Sequence, residues 1–236
     1  MDNVELVVTR YDPEIDDFHR SQTFSVRAVP GMTVLDALVQ VRDEQDGSLR
    51  FRESEPGGWS GSCAVTVNDV PCLASRTLLA RVILNNSAVI GPLKNFPVIC
   101  DLVVDNPIYL AKIEALEPWV DNAKEQPASM TREEYFRLRR TDGCALCGIC
   151  DANSDEYLTD PMFIGAASLL WTYRLTSDSR DSFDRERMEA VLGSGGLWAF
   201  SGDTSSEDLC PYAIDPVNQI MRLRNAASQN GYVPTE

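Results

Sequence analysis

Histidine is almost missing from this chain: His19 is the single one among 236 residues, and it lies in a polar loop. That excludes a histidine-based metal site and a histidine general base. Clustered positive charge is missing as well. The 21 Lys and Arg residues form no run and are outnumbered by 36 Asp and Glu, for a formal charge of −15. A phosphate-binding surface needs clustered cations, so nucleic acid is excluded as a partner. The acidic balance suits a basic partner or a salty cytosol and does not choose between them. Long apolar runs are absent too. The stretch Ile164 to Trp171 falls far short of the roughly 20 residues that cross a bilayer. We therefore expect no transmembrane segment in this chain, and any membrane association to be borrowed from other subunits. With 44% hydrophobic and 8% aromatic residues the composition is that of an ordinary globular protein, with length for one large or two modest domains. No residues look like an acid, base or nucleophile arranged for catalysis.

Cysteine, by contrast, is concentrated. Cys144-Ala-Leu-Cys147-Gly-Ile-Cys150 places three thiols at x2 and x2 spacing, and Cys210-Pro211 follows much later. Three thiolates so spaced can wrap three corners of a cubane while a distant Cys-Pro supplies the fourth, the bacterial-ferredoxin arrangement for a [4Fe–4S] cluster. Structural zinc more often uses two separated Cys pairs, which this pattern lacks. Disulfides are the weaker reading, because no secretory signal is expected ahead of the chain and a protein this long needs no covalent staples.

The first hundred residues read differently. Val4 to Arg10 and Thr23 to Val29 are strand-like and flank the Asp/Pro-rich loop Tyr11 to Arg20, which predicts a hairpin. After Pro30-Gly31, Thr33 with Asp36 predicts a capped helix with Leu35, Leu38, Val39 and Val41 mostly on one face, ending near Glu44. That order is the start of a plant-type ferredoxin domain, whose cluster loop reads Cys-x4-Cys-x2-Cys with a later cysteine. Here the intervals survive with other residues in them. Glu55 and Ser60 stand at the first two positions, Cys63 at the third, and Cys72 follows a strand over Ala64 to Val67. Glycines 57, 58 and 61 would let the backbone bend around a cluster. Carboxylate and hydroxyl are hard donors and poor substitutes for thiolate on iron. Three readings stay open here: a labile [2Fe–2S] site, a relic, or a zinc ion on Cys63, Cys72 and Glu55.

Gly31 to Leu38, Phe51-Arg52, Gly61 to Ala64, Pro92 to Ile99 with Asp101 to Asp105, Glu117-Pro-Trp119, Tyr173-Arg174, Asp178 to Asp181 and Cys210-Pro211 run in one order along nearly the whole chain. In that order they resemble the iron–sulfur subunit of the succinate dehydrogenase and fumarate reductase family. The resemblance implies an α+β fold: an N-terminal β-grasp, plant-type ferredoxin-like domain over residues 1–105, then an all-α helical ferredoxin domain over 106–236. It implies an electron relay between an FAD-bearing flavoprotein subunit and a quinone at a membrane anchor, within a larger respiratory assembly. It also implies a cytoplasmic location, or a peripheral one on the inner face of the membrane. Carried over residue by residue, the [4Fe–4S] ligands are Cys144, Cys147, Cys150 and Cys210. The family's [3Fe–4S] ligands fall at Ser154, Phe200 and Ser206, and its quinone contacts near Thr159 and Ser201. None of these keeps the family residue, so we expect neither a [3Fe–4S] cluster nor direct quinone reduction. The alternative is a scaffold subunit that has lost electron transfer and stabilises or docks its flavoprotein.

In the second half, Thr131 with Glu134 predicts a capped helix through Arg140. Further helices are expected over Phe163 to Leu175, Asp184 to Leu192, and from Asp215-Pro216 to about Ala227. Cys100 lies in an apolar stretch and reads as a small buried hydrophobe.

Overall fold

The computed structural model describes residues 3–121, 129–202 and 210–234. They fall into two units, 1–106 with 145–152, and 107–144 with 153–236.

In the first unit, β1 (Asn3–Arg10) turns Val4, Leu6, Val8 and Arg10 inward at every second residue and pairs antiparallel with β2 (Arg20–Arg27). The hairpin is as expected, with β2 beginning earlier than Thr23. Helix α1 (Val34–Glu44) opens on a full capping box, Thr33 accepting from the Asp36 N–H at 3.1 Å while Asp36 accepts from the Thr33 N–H at 2.8 Å. It buries Val34, Leu35, Ala37, Leu38 and Val41, and packs on β2. β3 (Ala64–Val67) and β4 (Val70–Leu73) are joined by Asn68 and Asp69, both at positive φ, as a tight hairpin turn requires. After the single turn α2 (Leu79–Val82), β5 (Ser87–Gly91) runs parallel to β1, giving the sheet order β2-β1-β5-β3-β4. Leu6, Val8, Val26, Leu38, Val41 and Ile90 meet in a core where each fully buried aliphatic side chain contributes roughly 1.5–3 kcal/mol. A separate ribbon, β6 (Val98–Cys100) with β7 (Val103–Val104), follows.

The second unit is helical. It holds α3 (Pro107–Glu114) and α4 (Arg132–Leu138), the latter with the expected Thr131/Glu134 capping box. Counting the short Ile149–Ala152 helix as α5, it continues with α6 (Asp155–Thr159), α7 (Ala166–Thr176), α8 (Asp184–Ala190) and α9 (Pro216–Gln229). Buried over most of its surface, α7 packs against α3, α8 and α9. It starts three residues later than its periodicity suggests, because Gly165 sits at φ 99, outside any helical conformation.

The architecture is thus sheet-rich at first and helical afterwards. Residues 145–152 fall in the second part when the chain is divided at 105, yet they cluster with the first unit. The cause is local packing: α5 lies on β4, and the Asn95 Nδ2 donates to the carbonyl oxygens of Asp151 and Ala152, each at 3.1 Å. Among the described residues no helix is long and apolar enough to cross a membrane.

Candidate functional site

The cysteine run is entered from a 3-10 turn, Thr141–Gly143, which ends when the Cys144 N–H donates to the Thr141 carbonyl at 3.2 Å. Thr141 is buried and donates to the Leu138 carbonyl at 2.6 Å, tying the turn to the end of α4. Asp142 is held by the Arg174 Nε of α7 at 2.8 Å. Beyond Cys144 the backbone bends twice into the left-handed region, at Leu146 (φ 52) and Gly148 (φ 75). A leucine there is uncommon and costs about 1–2 kcal/mol, so the surrounding packing imposes the bend. Gly148 has no room for a side chain, since an added Cβ would lie 2.8 Å from the Phe96 ring. Cys150 then lies in α5, and the Cys210 backbone carbonyl accepts from the Ala213 N–H at 3.0 Å in the turn that precedes α9. All four cysteines are half-buried, Cys147 and Cys150 in the first unit, Cys144 and Cys210 in the second. As a donor set, four thiolates suit soft and borderline metals, iron with sulfide and also zinc, and not hard oxygen-seeking cations.

At the N-terminal loop the expected donors are differently placed. Cys63 is 1% exposed and precedes β3, while Cys72 sits in β4 beside it, one strand over. Around the Cys63 Sγ stand the Ser54 and Ser75 hydroxyls, each at 3.1 Å and 3.0 Å from one another. Burial pushes the Cys72 thiol up, with a hydrogen bond to Thr77 partly offsetting it. Glu55 and Ser60 turn to each other: the Ser60 N–H donates to Glu55 Oε1 at 2.5 Å, and the Ser60 hydroxyl pairs with Ser62 at 3.0 Å. Backbone N–H groups, its own first and then those of Ser60 and Trp59, hold the Glu55 carboxyl below the usual carboxylate range. Two thiols and two committed oxygens are not the four-thiolate set of a [2Fe–2S] cluster. Among the described residues no group of three or more His, Cys, Asp or Glu side chains is arranged to hold a metal ion, and that covers Cys63, Cys72 and Glu55 as well as Cys144, Cys147, Cys150 and Cys210. Sequence reasoning missed Ser54 and Ser75. Neither has a spacing that marks it, and only the fold brings them to Cys63.

The positions at which the resemblance would put a third cluster carry a different network. Ser154 caps α6, accepting from the Tyr157 N–H at 3.1 Å and donating to Glu156 Oε2 at 2.7 Å. The other Glu156 oxygen accepts from the Ser201 N–H at 2.7 Å. Phe200 is buried, and its carbonyl accepts from Arg224, which also holds the Leu197 carbonyl at 2.9 Å. Thr159 donates to the Asp155 carbonyl at 2.8 Å. Ser206 lies outside the described residues.

Known proteins converge on one family. Residues 5–110 match the family described as a 2Fe-2S iron-sulfur cluster binding domain. The fumarate reductase iron-sulfur subunit of Mycobacterium tuberculosis is 33% identical over 233 residues, 97% of this chain and 94% of that protein. That of Escherichia coli is 30% identical over 244 residues, 100% of this chain and 97% of that one. The succinate dehydrogenase iron-sulfur subunit of Coxiella burnetii is 31% identical over 228 residues, covering 94% and 96%. Among solved structures, a chain of the Mycobacterium smegmatis Sdh1 complex in the apo form superposes with a TM-score of 0.88 at 22% identity, covering 99% of both chains. Identity of 30 to 33% along the full length, on a shared fold, places the chain in the family of fumarate reductase and succinate dehydrogenase iron–sulfur subunits.

Proposed function

We propose that this chain carries one [4Fe–4S] cluster on Cys144, Cys147, Cys150 and Cys210 and works bound to an FAD-containing flavoprotein subunit of the succinate dehydrogenase or fumarate reductase type. The supporting observation is the cysteine loop: three thiols within seven residues, on a backbone bent at Leu146 and Gly148. A cluster on those thiolates would take up and release one electron at a time, and the reaction chemistry stays with the partner's flavin. The protein's part is to hold the thiolates and limit water around them through Thr141, Phe96 and α5.

In finer terms the first unit is a β-grasp domain of plant-type ferredoxin kind, supported by the order β2-β1-β5-β3-β4 with α1 packed on it. The second is a helical ferredoxin domain. With Ser154 and Phe200 at two of the third cluster's positions, the chain has no [3Fe–4S] cluster and does not reduce quinone directly. It resides in the cytoplasm or peripherally on the inner membrane face, through partners that include a membrane anchor or a larger respiratory assembly.

The alternative is a scaffold that has lost electron transfer and stabilises or docks its flavoprotein, and the committed hydrogen bonds of Glu55 favour it over a relay through a second cluster. Purification from the native source under anaerobic conditions tests the proposal. Co-purifying flavoprotein, about four irons per chain and one EPR signal after dithionite are expected. No flavoprotein, or zinc in place of iron, would refute it.

A further inference from the structure

The loop from Glu55 to Cys63 has lost half of a thiolate set yet keeps an ordered, costly shape. Gly57, Gly58 and Gly61 all lie at positive φ (93, 67 and 68). An added Cβ at Gly58 would sit 2.7 Å from the Ser75 hydroxyl. At Gly61 it would sit 2.7 Å from the Cys147 Cβ and 3.1 Å from the Ala145 carbonyl oxygen. This backbone therefore runs directly against the one that carries a proposed ligand, both within the first unit. The same cysteine segment is also met by Phe96 against Gly148 and by the Asn95 amide on the Asp151 and Ala152 carbonyls.

A loop that wraps an anionic cluster has backbone N–H groups to satisfy when the cluster is gone. Here the Glu55 carboxylate takes the Ser60 N–H, Ser60 and Ser62 close on each other, and the Ser62 hydroxyl donates to the Glu53 carbonyl at 2.8 Å. The buried Cys63 thiol is likewise occupied by Ser54 and Ser75. These donors and acceptors of the loop are thus met from within the chain.

We propose that the loop Glu55–Cys63 holds no cluster of its own and, braced internally by Glu55, serves as the wall against which Cys147 is set, with Gly61 as the positioning residue. This rests on the four-cysteine reading above and adds a role for the first unit: it shapes one side of the site in the cysteine run. Glu55 places a negative charge in the loop as a cluster would, and at position 61 the close approach to Cys147 leaves room only for glycine.

The experiment uses the full chain with whatever partner co-purifies. Iron and sulfide analysis with EPR of the dithionite-reduced wild type should give about four irons and one signal. Cys72→Ala, at a half-buried position, should leave both unchanged, and Cys147→Ser should lose the iron. Gly61→Ala should release iron to a chelator roughly tenfold faster and alter the reduced EPR line shape, as displacing a residue that supports a ligand does. Gly31→Ala, a positive-φ glycine with open space around it, is the control for backbone strain alone and should do neither. About six irons with a second signal, iron lost in Cys72→Ala, or Gly61→Ala indistinguishable from Gly31→Ala would each overturn the proposal. Iron that survives Cys147→Ser and Cys72→Ala alike would instead refute the four-cysteine assignment beneath it.

Discussion

Arg10 ends the inward-facing row of β1, where a fourth aliphatic side chain would fit the pattern, and it is 4% exposed. Its guanidinium meets Asp101 at 3.0 Å, Asp46 at 2.7 Å, Gln22 at 2.6 Å and Ser48 at 2.9 Å. Removing it strands the buried Asp101 carboxylate, so Arg10→Ala should destabilise the chain by about 3–5 kcal/mol in urea unfolding. Asp46, at the same cluster's edge, is held well below the usual carboxylate range by the Ser48 hydroxyl and then by Arg10. A depressed folded pKa contributes stability that is fully present above the unfolded value, about 4, and is lost as pH falls below it. Asp46→Asn should therefore be less stable than wild type at pH 7, and the gap should narrow as the pH is lowered towards about 3. A gap of constant size across that window would show that Asp46 makes no such contribution. None of this cluster was legible in the sequence, where Arg10 merely closes a strand. Its partners come from β2, the turn after α1 and residue 101, which only the fold assembles.

Among elements, α1 was the most legible, because its signals are local: a capping box at Thr33 and an apolar face that ends near Glu44. Thr33→Ala removes the acceptor for the Asp36 N–H and should cost about 1 kcal/mol, read as a lowered thermal midpoint. Strand β5 was not legible. Five residues after the Asn85-Asn86 turn carry little pattern, and the strand owes its place to the parallel register with β1 across the sheet. Helices α3 and α6 were missed for a related reason, since short helices depend on tertiary packing more than on propensity. In the cysteine loop the spacing was legible and the bend was not. With Leu146 at φ 52, Leu146→Gly should be tolerated with full iron, whereas the β-branched Leu146→Val should cost about 1–2 kcal/mol and lose iron on purification. Equal iron in both variants would show that this bend does not shape the site.

At the scale of the whole molecule, the proposed thiolates are drawn from two segments far apart in sequence, and the chain between them contains nearly half of the second unit. Cys210→Ser should therefore lose the iron as completely as Cys144→Ser, as judged by metal analysis, and should leave the second unit more easily cleaved by protease. Partial retention in Cys210→Ser would point to a fourth ligand elsewhere. The sequence by itself determined the donor chemistry, the exclusion of histidine and of basic surfaces, the family's landmarks in order, and the oxygen residues at 55 and 60. These are properties of covalent order and residue type. Only the tertiary structure decided that Glu55 bonds within its own loop, that Ser54 and Ser75 occupy Cys63, and that residues 145–152 lie against Gly61 and Asn95. Which partner a hydrogen-bonding group takes, and which backbone can approach another, depends on neighbours brought together across the chain, and no local pattern encodes that choice.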